Sequence, residues 1–561
     1  MRLRRFVANF NGRIASPILM LLLNAVWSTA QTTSTPQESL HAKPASYRIA
    51  GRTVNAVDGR TLQGTTVRIV NNKTQQLVAS KVSGEDGSFE FTNLNADKYS
   101  LDAVAEGYLA SHYDEHENFW TGIVTGADVD TESLVLRVTP QAIISGRVLD
   151  EVGDPVRSAM VILYRENHAE GRSRINSIRG LQTNDLGAYE FVSLPPGNYF
   201  ISARATPWYA VHPQLLKSLG VGGGAAHSVD SSLDVAYPTT FYADTTDSDG
   251  ATPIPVRAGN QIDIDIHLQP LPAITLTVHT KAGQQNPHYL QLQESVFGQS
   301  EDVNGQMQID DSGTSLVGVP PGHYTLRHVN QTSGSAKSMA VDLEKDYLDV
   351  DAMSGEESAA VKMRLEGENG VKMPTVTQVA LRSKNGGISA AQSVNDKGEA
   401  EFAGLQSGDY KVSVYGSDNH IYHVAKIETE SGKVLSDVLN VSPGATLSLT
   451  VKVARPTCAV EGFVKNDGKP VPGVMVVLVP IGRNDDIELF RRDQSDLDGS
   501  FVLPSVIPGR YIAIAIEGGW TLEWGKSEVL TQYLTKGVPV MVSANETQAV
   551  HLSSDLVAQP R

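Results

Sequence analysis

The stretch Asp185-Leu-Gly-Ala-Tyr-Glu-Phe-Val-Ser-Leu-Pro-Pro-Gly-Asn-Tyr199 constrains this chain most, because the same pattern returns four more times. Asp185 and Gly187 make a turn, Tyr189 and Phe191 point to one face of a short strand, and Pro195-Pro196-Gly197 turns the chain into a second strand opened by Tyr199. The variants are Asp86-Gly87 to Tyr99, Asp311-Ser-Gly313 to Tyr324, Asp396-Lys-Gly398 to Tyr410 and Asp498-Gly499 to Tyr511. Glycine and tyrosine are 12 residues apart in four of the five and 11 apart in the third, a regularity that chance does not hold. Successive tyrosines lie 100, 125, 86 and 101 residues apart, the size of one small domain.

A unit of that size can bury its own core. Gly 49 and Pro 27, many short Val/Ile/Leu runs and almost no long segment of 3.6 period place all 561 residues in the all-β class, as a tandem array of about five sandwiches. Cys458 is the single cysteine, so no intramolecular disulfide can form and a cysteine-rich metal site is excluded. A formal net charge of −17 offers no basic face for phosphates, which weighs against nucleic acid as a partner.

Arg2, Arg4, Arg5 and Arg13 precede a charge-free apolar run, Ile14 to Trp27, followed by Ser28-Thr29-Ala30. This is the pattern of a secretory signal, residues 1–30, with cleavage expected after Ala30. The run is shorter than the roughly 20 residues a membrane span needs, so no span is expected after cleavage. Residues 31–46, rich in Thr, Ser, Gln and Pro, read as a flexible leader.

Five units follow, expected at 47–140, 141–270, 271–368, 369–455 and 456–561. The first opens with Gly51…Val54…Gly59…Gly64…Val67…Ile69 and continues with Asp86-Gly-Ser-Phe89…Leu94…Tyr99. This order resembles the carboxypeptidase regulatory-like domain. The second and fifth units share it, with Gly146-Arg-Val148 and Gly462-Phe-Val464 as openings. In the third the opening is reduced to Ile274 through Val278 and in the fourth to Val376 through Leu381, leaving the second half to carry the likeness. The resemblance implies transthyretin-like or Ig-like β-sandwiches, often grouped with carbohydrate-binding-like folds. With the exported N-terminus, the tandem order is similar to that of large exported multi-repeat proteins of some Gram-negative bacteria.

Strictly alternating runs lie between the units: Leu134, Leu136, Val138; Ile262, Ile264, Ile266, Leu268; Leu447, Leu449, Val451, Val453. A period of two puts one face on a core and the other in water. Each run leads almost directly into the next unit, so connections are short and the packing stiff, apart from a mobile loop expected around Gly222-Gly223-Gly224.

Chemistry has few starting residues. No Gly-x-Ser-x-Gly elbow, P-loop or His-Glu-x-x-His occurs. The peptidases that own such regulatory domains hold zinc through a His-x-x-Glu pair and a distant histidine. Here the pair is His112-Tyr-Asp-Glu115, in a polar stretch ending at Glu117 that reads as a solvated loop. Asp244, Asp247 and Asp249, and Asp493, Asp496 and Asp498, lack the spacing and terminal glutamate of a calcium loop. No catalytic residue, metal or cofactor is therefore expected, and the chain reads as a non-enzyme.

Exposed aromatic faces can stack on sugars. Trp208-Tyr209 and Trp520…Trp524 follow the Tyr199 and Tyr511 strands, with nine residues from each tyrosine to the first tryptophan, and form the candidate carbohydrate-binding set. The alternative is that they seal domain contacts. The expected role is binding or display at the cell surface or in the envelope, with a polysaccharide or an envelope protein as partner. The resemblance implies carbohydrate as the ligand class. A structural stalk or assembly subunit with protein partners is the alternative reading, and an accessory chain of a peptidase a third. The oligomeric state is left open by the sequence.

Overall fold

Alternating apolar residues interrupted every few positions by Gly, Asp and Pro can bury one face of many short strands, and strands dominate throughout. The computed structural model describes residues 46–561 apart from short internal stretches, the longest being 216–229, 280–287 and 368–376. The expected signal segment, the leader up to residue 45 and the Gly222-Gly223-Gly224 loop lie outside the described residues. The longest described helix, Ser527–Leu534, has eight residues, and no described helix is long and apolar enough to cross a membrane.

The first module shows the plan that the others repeat, except that in the fourth the strand Ile421–Thr429 joins the two layers into one nine-stranded sheet. Its opening strand, Tyr47–Asn55, lies between Ser88–Leu94, antiparallel, and Leu134–Val138, parallel. A second sheet sets Thr66–Asn71 between Leu77–Val82 and Lys98–Val104. Ile49, Val67, Ile69, Phe91 and Leu101 fill the space between the sheets, each contributing about 1.5–3 kcal/mol by leaving water. Four further clusters of buried apolar residues fill the cores of the modules that follow, so the array of β-sandwiches is real.

The alternating runs expected between units are the closing strands of the sandwiches. Leu134 pairs with Gly51, Ile262 with Ile144 and Leu449 with Met363, in each case parallel to the opening strand. Close approach explains the opening glycines: a Cβ on Gly146 would lie 1.7 Å from the Ile264 carbonyl oxygen. The turn glycine has a separate reason. Gly187 takes φ +68°, its carbonyl accepts from the Val148 N–H at 2.9 Å, and a Cβ there would meet the Val148 oxygen at 2.7 Å.

One expected boundary moves. The strand Ala359–Gly367 pairs with Glu399–Leu405 and runs parallel to Thr446–Ala454, so it opens the fourth module rather than closing the third. The division therefore falls before Ala359, not at 368/369. Ala359, Val361, Met363 and Leu365 alternate inward, but Met363 stands at the register position that Gly51 holds in the first module, so no glycine there marks the strand as an opening.

The five recurring tyrosines are all buried. Each hydroxyl donates to the carbonyl four residues earlier: Tyr99 to Asn95 at 3.2 Å, Tyr199 to Pro195 at 2.6 Å, Tyr324 to Pro320 at 2.9 Å, Tyr410 to Gln406 at 2.8 Å and Tyr511 to Ile507 at 2.8 Å. The tyrosine thus fills the core and donates to a turn carbonyl, which at Asn95 also accepts from Thr125 Oγ1. Just before that turn a left-handed residue recurs: Asn93 at φ 61°, Ser193 at 58° and Ser505 at 57°, with Gly318 and Gly404 in the same place. It shifts the register of the strand pair, so that Leu94, Leu194 and Val506 turn inward again.

Candidate functional site

The four aromatic candidates do not come together, and the equal sequence offsets do not translate into equal positions. Trp208 is 85% exposed, with Tyr209 edge-on at 5.8 Å. Tyr209 donates to Glu151, which also accepts from Tyr237 at 2.7 Å. Burial alone would raise the Glu151 carboxyl, but these two hydroxyls hold it below the usual range. Burial and the same carboxylate push the Tyr209 hydroxyl up to about 12. The ring beside Trp208 is therefore pinned by a charged hydrogen bond.

Trp520 and Trp524 are 7% and 6% exposed and present no face on which a sugar could stack, which removes them from the carbohydrate set. After Glu517 the chain turns back through a short 3-10 turn and the helix Ser527–Leu534. This lays both indoles over the outer face of the sheet formed by Met475–Pro480 and Gly509–Glu517, against Val477, Ile514 and Ile516. Trp524 also carries the Arg492 guanidinium 4.3 Å from its ring centre.

The stretch from His112 to Glu117, expected as a solvated loop, forms with the residues up to Gly122 a contact between the first module and the fifth. His116 stacks on Trp520 with centroids 5.1 Å apart, and Phe119 packs on the same indole at 5.5 Å. Glu117 holds Arg492 at 2.8 Å, and Gln494 donates to the Asp114 carbonyl at 2.6 Å and to Thr121 Oγ1 at 2.8 Å. Lys98 pairs with Asp496, whose other oxygen accepts from the Gly122 N–H at 2.9 Å. Burial raises the Asp496 carboxyl against the pull of Lys98.

His112 faces elsewhere. Its Nδ1 lies 3.3 Å from Asp102 and its ring stacks on Trp120 at 4.3 Å. The Asp102 carboxylate raises its pKa, burial opposing. The two histidines of the polar stretch thus have different partners. Neither aspartate cluster gathers three carboxylates on one point: Asp244 binds His267, Asp247 caps the turn 248–250, Asp493 accepts from the Val502 N–H, and Asp496 and Asp498 lie within hydrogen-bond distance of the Ser500 hydroxyl. Among the described residues no group of three or more His, Cys, Asp or Glu is placed to hold a metal ion. A cleft of about 380 Å³ between the third and fourth modules is lined by residues such as Thr325, Ser338, Glu356 and Ser407, with neither histidine nor cysteine among the lining.

The remaining modules are joined in the same way. Arg204 of the second reaches Glu294 and Glu301 of the third at 2.8 and 2.6 Å. Arg327 of the third donates to the Gly404 carbonyl of the fourth at 2.9 Å, and Lys411 of the fourth pairs with Asp486 of the fifth. The second also touches the fifth, where the Gly525 N–H donates to the Gly171 carbonyl at 2.8 Å. The contacts close a circuit from the first module to the last. The partners that join the first module to the fifth, such as Arg492 with Glu117 and Gln494 with Asp114, are 375 and 380 residues apart in sequence and leave no mark in local pattern; the only hint was the density of aromatic residues in stretches that no strand needed.

Residues 48–130 match the family model of the carboxypeptidase regulatory-like domain. No curated protein matches the chain. Among solved structures, the Bacillus anthracis TIE protein is 13% identical, with 75% of this chain and 76% of that chain covered and a TM-score of 0.17. The major pilin subunit BcpA of Bacillus cereus is 10% identical over 73% of this chain and 99% of its own, at a TM-score of 0.14. The minor pilin GBS52 of Streptococcus agalactiae is 11% identical over 40% and 97%, at 0.21.

Proposed function

We propose that this chain, a series of β-sandwiches whose first module is a carboxypeptidase regulatory-like domain, is an exported, non-enzymatic assembly subunit with protein partners. One observation carries the reading: two of the four aromatic residues that sequence marks for recognition, Trp520 and Trp524, are buried where the first module meets the fifth. Trp520, Trp524, His116 and Phe119 form one packed cluster between the first module and the fifth. A chain that invests its loops in module contacts presents a rigid surface for assembly. The arginine-rich start and the apolar run from Ile14 to Trp27 support export.

Titration with cell-wall polysaccharides and a glycan array test the reading. An assembly subunit shows no saturable binding; saturable binding would replace it. The second reading, sugar binding, keeps one residue-level support, the exposed Trp208 indole beside the fixed Tyr209 ring. Binding that Trp208→Ala abolishes would establish that reading instead. Mass spectrometry of the mature N-terminus tests export: a start at Gln31 is expected, and retention of Met1 through Ala30 in envelope material would contradict it.

A further inference from the structure

Trp208 is 85% exposed, against 40% for Tyr289 and Phe463, the next most exposed Phe, Tyr or Trp side chains among the described residues. Its indole stands on a fixed base. The Val211 N–H donates to the Leu233 carbonyl at 2.9 Å and the Ala210 N–H to the Pro207 carbonyl at 3.1 Å, which ties down the turn that carries it. The Tyr209 ring meets the indole at an interplanar angle of 86°, so the two make a corner, and Tyr209 is itself held by its hydrogen bond to Glu151. A large ring kept in water on an ordered turn is the form that interface anchors take.

Elsewhere the chain lays its own cations on its aromatic faces. Arg165 lies over Tyr199 at 5.7 Å, Lys465 over Phe463 at 4.7 Å, and Arg492 over Phe119 and Trp524 at 5.2 and 4.3 Å. Among the described residues no lysine or arginine lies over Trp208 or Tyr209. The charges beside these two rings call for one. Glu151 accepts from Tyr209 and from Tyr237, and among the described residues no cation pairs with it, so neutral hydroxyls alone hold this half-buried negative charge. Asp150 beside it is 6% exposed, its carboxylate accepts from the N–H groups of Val152 and Asp154, and its charge helps to raise both tyrosine hydroxyls. A phenol that donates to a carboxylate keeps an electron-rich ring, and such a face attracts cations.

We propose that Trp208 and Tyr209, backed by Glu151, bind a lysine or arginine side chain of a protein partner. The occupant follows from the charges. An anionic group is repelled by Glu151 and Asp150, a neutral one leaves Glu151 without a counter-charge, and a metal ion finds no group of three carboxylates, histidines or cysteines among the described residues. A long cationic side chain meets both demands, since its methylenes cover the indole while its head lies in the negative potential beside the rings.

This inference names the partner chemistry of the assembly reading and rests on it, and the two fail separately. In the mature chain with nitrogen-15 in its tryptophans, the Trp208 indole signal is the one that Trp208→Ala removes. Titration with acetyl-lysine methylamide or acetyl-arginine methylamide at constant ionic strength should shift that signal saturably, and acetyl-norleucine methylamide, of similar length and uncharged, should not. Glu151→Gln, whose amide keeps the shape of the side chain and can pair with both hydroxyls, should weaken binding about threefold, the scale of one exposed cation–ring contact. No saturable shift, an equal shift with the norleucine probe, or binding that Glu151→Gln leaves unchanged would overturn the cation site yet leave the assembly reading. Saturable movement of the same signal with a cell-wall oligosaccharide would reveal a sugar site and overturn both.

Discussion

The imidazole of His116 lies on the indole of Trp520 at an interplanar angle of 8°, joining a loop of the first module to the outer sheet face of the fifth. Phe119 packs on the same indole, so Trp520 fills the seam rather than one core alone. Trp520→Ala should cost about 3–5 kcal/mol, as for a large aromatic lost from a packed site. His116→Ala should cost less, and a double-mutant cycle should return a coupling of about 0.5–1.5 kcal/mol. Strictly additive losses in calorimetry would mean that the two rings do not act together.

Trp208 should behave in the opposite way. With its indole in solvent, Trp208→Ala should change stability by less than about 0.5 kcal/mol. A large drop in melting temperature would show that the ring packs against something in solution.

The tyrosine hydroxyls can be compared module by module. Tyr511→Phe keeps the ring in the core but leaves the Ile507 carbonyl without its 2.8 Å partner, at a cost of about 1–3 kcal/mol. Tyr99→Phe, whose bond to Asn95 is 3.2 Å, should cost less. Equal melting shifts would indicate that the hydroxyl bond adds nothing to the ring's packing.

Gly187→Val should destabilise the second module by more than about 1–2 kcal/mol. A left-handed backbone is costly for a β-branched residue, and the added Cβ meets the Val148 carbonyl oxygen at 2.7 Å. An unchanged melting profile would place the turn in another conformation.

Burial pushes the Asp493 carboxyl up to about 6, with Asp496 adding to the shift and Lys98 opposing it. A carboxyl whose folded pKa is raised adds stability that is fully present below its unfolded pKa, near 3.8, and is lost as pH rises through 6. Relative to Asp493→Asn, the parent should therefore gain stability as pH falls from 7 to 5. A difference that is flat across that window would show that Asp493 titrates normally.

Most of the fold was legible because it is local. The Asp-Gly or Asp-x-Gly turn, the inward aromatic residue two positions after its glycine (Phe89, Tyr189 and Phe501), and the buried tyrosine each depend on neighbours within 15 residues, and backbone geometry repeats them faithfully. The strand Ala359–Gly367 was assigned to the wrong module because alternation shows that a strand has a buried face without showing whose core it enters. The pairing of Trp208 with Trp520 misled for a related reason: equal distance along the chain fixes the strand left behind, not the path taken afterwards.

By itself the sequence determined the number of sandwiches, their turns and the burial of their tyrosines, since period, glycine placement and turn chemistry act over short range. Only the tertiary structure decided which aromatic rings are buried and that the loop from His112 to Trp120 closes on the fifth module. Those outcomes depend on contacts between surfaces hundreds of residues apart, where the free energy comes from matched shape and desolvation. No local pattern of residues records that match.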